Sequence, residues 1–193
     1  AARPNLSAAD IKALLIATAK SINDATGVRY PVAHTGAGRI QVYQAATAGA
    51  LANPAVLSLG EVPVETGKVV TQRITLSNTS DVAVDYSISA DVDAGLTVTA
   101  PATVHLEPRS SAQFDVKVRI APQALATASM ELDGFIRITK GDGTGEPFRL
   151  PVLAVVNRTG RVTPSSLIVH ATSPADAQGA AATLTLANEG RTT

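Results

Sequence analysis

The sequence predicts a mainly β protein, an antiparallel sandwich of about seven short strands preceded by two helices. Three observations carry that expectation. Residues 55–158 place apolar side chains with a period of two, whereas residues 1–52 place them at helical spacing. Turn-forming residues cut the period-two region into short lengths. Of the 193 residues 45% are hydrophobic, and Lys plus Arg and Asp plus Glu each total 16, the composition of a soluble globular chain.

Ser7 followed by Asp10 forms a capping-box signature, and Ile11, Leu14, Leu15, Thr18, Ala19 and Ile22 then recur at helical spacing, predicting one amphipathic helix. After a loop over 23–38, the stretch from Arg39 to about Ala48 puts Ile40, Tyr43, Ala46 and Thr47 on one side of a second, shorter helix. About 50 residues cannot bury two apolar stripes internally, so a covering surface must lie elsewhere. The change of period sets a domain boundary near Ala52 to Pro54, giving an incomplete helical unit over 1–52 and a sandwich over 55–158 that is expected to fold without it.

Within the sandwich, Val70, Ile74 and Leu76 alternate with Arg73, Thr75 and Ser77, and Val84, Tyr86 and Ile88 alternate with Asp85, Ser87 and Ser89. Val104 and Leu106 follow, and then Phe114, Val116, Val118 and Ile120 interleave with Asp115, Lys117 and Arg119. Ile136, Ile138, Leu150, Val152, Ala154 and Val156 complete the set. Turns are expected at 78–81, 93–95, 107–108 and 141–147. Strands of this length and spacing predict an immunoglobulin-like or fibronectin-III-like antiparallel sandwich. Its inward set should be Ile74, Leu76, Tyr86, Ile88, Phe114, Val116, Val118, Ile120, Ile136, Ile138, Leu150 and Val152, with Arg73, Asp85, Lys117 and Arg119 in water. From Val162 onward, Ser166 to His170 and Ala182 to Asn188 repeat the opening phrase Arg73 to Asn78. Residues 161–193 therefore read as the start of a second, incomplete sandwich whose strand at 182–188 offers an unpaired edge.

Composition excludes several classes of function. The chain has no cysteine, which removes disulfides, thiolate nucleophiles and Cys-based zinc sites. Equal acid and base counts give no field that would draw it to nucleic acid, and no apolar run approaches the roughly 20 residues that span a bilayer. No charged and apolar leader opens the chain, so any export signal would lie upstream of Ala1.

Three phrases resemble one family. Leu6-Ser7-Ala8-Ala9-Asp10-Ile11-Lys12-Ala13-Leu14-Leu15-Ile16-Ala17-Thr18-Ala19 is similar to the helix after the nucleophile-bearing one in subtilisin-like serine proteases, a Pro-x-x-Ile-Lys-x-x-Leu phrase ending in Thr-Ala; Ala8 departs from the pattern. Gly36-Ala37-Gly38-Arg39-Ile40-Gln41-Val42, with Ala45, resembles the Gly-Ala-Gly turn and final helix of the same α/β catalytic domain. Asp133-Gly134-Phe135-Ile136-Arg137-Ile138 with Leu150-Pro151-Val152 resembles the fibronectin-III-like domain of the cell-envelope members. The resemblance covers residues 1 to about 158. It implies that the two helices close a subtilase catalytic domain whose remainder lies upstream, and that the intact protein hydrolyses peptide bonds outside a bacterial cell or at its surface. The family's Gly-Thr-Ser-Met-Ala nucleophile motif, aspartate and histidine would all fall before Ala1, so no catalytic residue is assigned.

The remaining chemistry is sparse. No serine has glycine two residues before it, which excludes both the subtilase motif and the nucleophile elbow. His34, His105 and His170 stand far apart, and none has a second ligand at helical spacing, so they read as ordinary histidines. Gly36-Ala37-Gly38 lacks the Gly-Lys-Ser/Thr or third glycine of a phosphate loop. Asp91 and Asp93 could offer oxygens to calcium but read as solvated acids. Asn5-Leu6-Ser7, Asn78-Thr79-Ser80 and Asn157-Arg158-Thr159 match the glycosylation sequon and read as caps and turns. No catalytic, cofactor or metal residue is expected. The resulting function is a non-catalytic C-terminal part of a secreted subtilisin-like endopeptidase, its sandwich serving as spacer, stabiliser or exosite that could touch a protein substrate. The alternative is a non-enzymatic cell-surface or adhesion protein of immunoglobulin-like repeats.

Overall fold

The computed structural model describes residues 6–123, 129–145, 147–158, 161–163 and 185–187, the last two segments by backbone alone. Its helices are α1 (Ala8–Ala17), α2 (Val32–Thr35) and α3 (Val42–Thr47). Its strands are β1 (Ala50–Asn53), β2 (Leu57–Pro63), β3 (Lys68–Asn78), β4 (Val84–Val92), β5 (Leu96–Thr99), β6 (Thr103–Leu106), β7 (Ser111–Ile120), β8 (Ser129–Lys140), β9 (Phe148–Asn157), β10 (Arg161–Thr163) and β11 (Thr185–Ala187).

A four-stranded sheet in the order β1-β3-β7-β5 packs on a five-stranded sheet in the order β2-β9-β8-β4-β6, and the chain is mainly β. The alternating side chains explain the packing. β3 turns Ile74 and Leu76 inward, and β7 turns Phe114, Val116, Val118 and Ile120 inward, each opposed by exposed neighbours such as Arg73, Lys117 and Arg119. Tyr86, Ile136, Ile138, Leu150 and Val152 supply the other side of one continuous core. Of the expected inward set only Ile88 is half-buried; it lies at the middle of β4, and the three residues after it are exposed.

The sandwich departs from the expected antiparallel one in a single pairing between its strands. β2 pairs parallel to β9, with a register shift between Ser58 and Gly60. β1, β2 and β5 were also not anticipated. β1 lies partly in the stretch read as helical, yet it pairs with β3 from Ala50↔Asn78 to Asn53↔Thr75. The chain therefore changes sheets between β1 and β2, and the helical segment shares the sandwich core: Leu14, Ala17, Ala45 and Ala48 pack in the same cluster as Leu57 and Val152. Independence of 55–158 from the first 52 residues thus meets a shared core rather than a clean boundary.

Ser7 caps α1 as predicted, its hydroxyl accepting from the Asp10 N–H while the Asp10 carboxylate accepts from the Ser7 N–H. The buried faces differ from the expected ones. Leu14, Ala17 and Ala19 are buried, as are Ala45 and Ala48, whereas Ile11, Ile22, Ile40 and Tyr43 are exposed. Leu14 and Ala19 belong to the expected stripe; beside them alanine allows a helix backbone to approach a sheet closely, so Ala17, Ala45 and Ala48 rather than Ile11, Ile40 and Tyr43 are buried. The loop over 23–38 contains α2, and Asp24 organises its start by accepting from the Thr26 and Val28 N–H groups at 2.8 and 2.9 Å.

β10 and β11 form a two-stranded antiparallel sheet, so the strand within 182–188 pairs along one side with Arg161–Thr163, and along its other side residues 185–187 have no strand partner among the described residues. The expected strand Ser166 to His170, His170 itself and Asn5 lie outside the described residues.

Candidate functional site

The helical segment meets the outer face of the five-stranded sheet at three residues of β8 and β9. Asp133 is 4% exposed in the middle of a run of buried residues. Its carboxylate accepts from Arg29 Nη2 at 2.5 Å and from the Val32 N–H at the start of α2 at 2.6 Å. A buried carboxylate is stable only with such partners. Phe135, two residues along the same face, is covered by two guanidinium groups, Arg29 at 5.3 Å and Arg149 at 4.5 Å from the ring centre. Arg149 donates to the Ser21 hydroxyl, to the Ala19 carbonyl and, at 3.3 Å, to the Ala37 carbonyl. Opposite Phe135 on β9 stands Pro151, one residue before β2 joins that strand, where β9 is locally an edge and lacks a neighbour to receive an N–H.

Beside Arg149 two backbone segments cross closely. Lys20 and Arg39 exchange both backbone hydrogen bonds, at 2.9 and 2.8 Å, forming an isolated antiparallel bridge. Gly38 makes this approach possible: its φ is +108°, and a Cβ there would collide with the Lys20 carbonyl. The Gly-Ala-Gly turn is thus a place of close backbone contact, with Gly36 ending α2 at φ 58°. Two depressions flank it. One, of about 440 Å³, is apolar and runs between α1 and Ile40, lined by Ile11, Leu15 and Ile16. The other, of about 310 Å³, is polar and lies between the Lys20–Arg39 bridge and the side chains of Arg137 and Arg149.

The histidines are dispersed. His34 is exposed within α2 rather than in a loop. His105 sits outward on β6, its Nδ1 2.7 Å from Asp85 and its Nε2 3.4 Å from Glu107. The hydrogen bond with Asp85, helped by Glu107, raises its pKa above the ordinary histidine value. A His–carboxylate pair is part of a triad, but Ser87, two residues along β4 from Asp85, donates its hydroxyl to the Thr139 carbonyl instead. Asp91 and Asp93 diverge: Asp91 pairs with Arg137, and Asp93 accepts from the Asp133 N–H at 2.7 Å. They are therefore neither gathered ligands nor free acids, and among the described residues no group of three or more His, Asp or Glu is placed to hold a metal.

Asn78, read as a turn residue, is 2% exposed. Its Nδ2 donates to the carbonyls of Val82 and Glu107 at 2.7 and 3.1 Å, and its Oδ1 accepts from the Ser80 N–H at 2.9 Å, pinning the β3–β4 turn to the end of β6. A glycan could not be attached there without breaking that lock. The Tyr86 hydroxyl is buried without a hydrogen-bond partner among the described residues, and burial pushes its pKa up. Among the described residues no helix is long and apolar enough to cross a membrane.

Neither a protein-family model nor a curated protein matches the chain. Solved structures resemble it only in outline. A FixG-related protein from Vibrio parahaemolyticus is 13% identical over 48% of this chain and 80% of its own, with a TM-score of 0.36. A PapD-like domain of human CEP192 is 11% identical over 57% and 84%, with a TM-score of 0.38. Escherichia coli alpha-2-macroglobulin is 14% identical over 60% of this chain and 10% of its own, with a TM-score of 0.42. None of these three is a subtilisin-like protease, and with every score below 0.5 the sandwich rests on its strand pairing alone.

The residues that join the two parts, Arg29, Asp133 and Arg149, were not singled out from sequence. One signal was available: Asp133 interrupts an apolar strand phrase, and a charge in such a place needs a partner. Nothing local marks Arg29, 104 positions away, as that partner.

Proposed function

We propose that this chain is the non-catalytic C-terminal part of a secreted, bacterial, subtilisin-like serine endopeptidase, with the sandwich holding the end of the catalytic domain in place. The observation that carries the reading is two-sided. Residues 6–49, which hold two of the three subtilase-like phrases, are fixed to the sandwich through Asp133, Phe135 and Arg149. On their other side Ile11, Ile40, Val42 and Tyr43 stand exposed, an apolar surface of the kind that the rest of an α/β domain would cover. In this reading the intact parent cleaves peptide bonds by acyl-enzyme chemistry with a triad upstream of Ala1, and the sandwich acts as stabiliser and spacer, with contact to a protein substrate as a secondary role.

The test is the reading frame upstream of the Ala1 codon together with labelling of the secreted protein by a fluorophosphonate probe. The expected result is an in-frame Gly-Thr-Ser-Met-Ala segment whose serine takes the label. Labelling of any serine between Ser7 and Ser173, or a frame that continues into further sandwich repeats, would overturn the proposal.

A further inference from the structure

We infer that the polar depression beside the Lys20–Arg39 bridge is an oxyanion-binding site whose ligand class is a tetrahedral dianion, a free phosphate or sulfate ion or the phosphate end of a small polar monoester. The inference does not depend on the protease reading. The chain as a whole is neutral, with 16 basic and 16 acidic residues, yet four cations from four separate segments, Lys20, Arg39, Arg137 and Arg149, line this one cavity and no carboxylate does. Lys20 and Arg39 sit opposite each other across a hydrogen-bonded bridge, a placement in which like charges repel and a shared anion would relieve the repulsion. Among the described residues neither side chain enters an ion pair.

The other two cations are anchored rather than loose. Arg149 is held by the Ala19 and Ala37 carbonyls and the Phe135 ring, and Arg137 by Asp91, so the charge behind the pair is fixed in place. Ser21 and Gln44 add neutral hydrogen-bonding groups to the wall. A volume of about 310 Å³ admits a phosphate or sulfate group with a few further atoms attached. Gly38 belongs to the site in a structural sense, because the approach it permits sets Lys20 opposite Arg39. Two uncommitted cations favour a dianion over a monoanion, since each contributes a charge-assisted bond.

The experiment is a titration of the full chain, followed by amide proton–nitrogen spectra at constant ionic strength balanced with sodium chloride. The probes are inorganic phosphate, sulfate, glucose 6-phosphate, and the monoanions acetate and dimethyl phosphate. Saturable shifts confined to 18–23, 37–44 and 149 are expected for the first three probes, with the monoanions about tenfold weaker. Saturation by inorganic phosphate and sulfate alone would make the ligand a free ion, and saturation also by glucose 6-phosphate would extend it to esters. Lys20→Gln and Arg39→Gln should each weaken binding severalfold and together abolish it, whereas Lys117→Gln on the far sheet should leave it unchanged. Shifts that follow ionic strength without saturating, equal affinity for acetate and phosphate, or a double variant that keeps its native spectrum and titrates like the parent would each overturn the inference.

Discussion

The two sheets of the sandwich have the same core between them but opposite surroundings outside. β7, in the four-stranded sheet, alternates strictly between buried and exposed residues along its apolar half, with Asp115, Lys117 and Arg119 standing in solvent. β8, in the five-stranded sheet, has an unbroken buried run from Leu132 to Ile136. The difference is that the segment 6–49 lies on β8 and β9 and turns their second face into an interface. A strand wet on one side needs a polar residue at every other position, whereas a strand covered on both sides can be apolar throughout and must satisfy any charge it keeps. Asp133 is such a charge, and its two partners come from the covering segment.

Several measurements would break or sharpen that contrast. The largest effect is expected from deleting residues 1–49, which uncovers Phe135 and Pro151 and removes Leu14 and Ala17 from the core; the urea midpoint should fall further than for any single substitution. A sandwich as stable as the parent after that deletion would mean the covering layer is ornamental. Phe135→Ala should cost about 3–4 kcal/mol through lost burial and a cavity, close to the cost of Ile138→Ala inside the sandwich. By contrast Lys117→Ala, equally central on the outer face of the other sheet, should change stability by less than about 0.5 kcal/mol. If Phe135 proved as tolerant as Lys117, the two outer faces would be alike after all.

Asp133→Ala should cost about 2 kcal/mol, since it leaves the Val32 N–H unsatisfied and Arg29 without its carboxylate; the 30% exposure of the Arg29 side chain tempers the loss. Asp133→Asn, which keeps an acceptor for Val32, should cost less, and urea titration of the pair separates the two contributions. The smallest effect concerns His105 on the exposed edge strand β6. Because hydrogen bonding to Asp85 raises its pKa in the folded state, the stabilisation is full below the unfolded value near 6.5 and is lost as pH rises through the higher folded value. The His105 ring resonance should titrate with a midpoint above about 6.5 and move back toward it in Asp85→Asn. A midpoint unchanged by that substitution would remove the pair from consideration.

The same contrast explains what the sequence made legible. β3 and β7 could be read residue by residue because their outer faces are wet and their alternation is intact. β2 could not: the register shift at Ser58 and Gly60 changes which positions point inward, so Leu57 and Leu59 are in one phase and Val62 in the other. β1 was hidden because Ala50, Leu51 and Ala52 continue the small apolar residues of α3, and β5 is only Leu96 to Thr99. On the helices, Leu14 and Ala19 of the expected stripes are inside but Ile11, Ile22, Ile40 and Tyr43 are not, since a stripe read along one helix does not say which side a sheet will approach. The joining residues were illegible for a different reason: Asp133, Arg29 and Arg149 meet only after the chain has folded back on itself.

The parallel pairing of β2 with β9 also has a mechanical meaning. β2 enters the five-stranded sheet near the start of the sandwich and β9 leaves it near the end, so tension between Leu57 and Asn157 runs along the two strands in opposite directions. In that geometry the hydrogen bonds between them are sheared together, whereas an antiparallel hairpin pulled from its open end would unzip one bond after another. Extension from those two points would therefore have to break the bonds of the pair together, from Leu57↔Val152 to Pro63↔Asn157, before the strands could part.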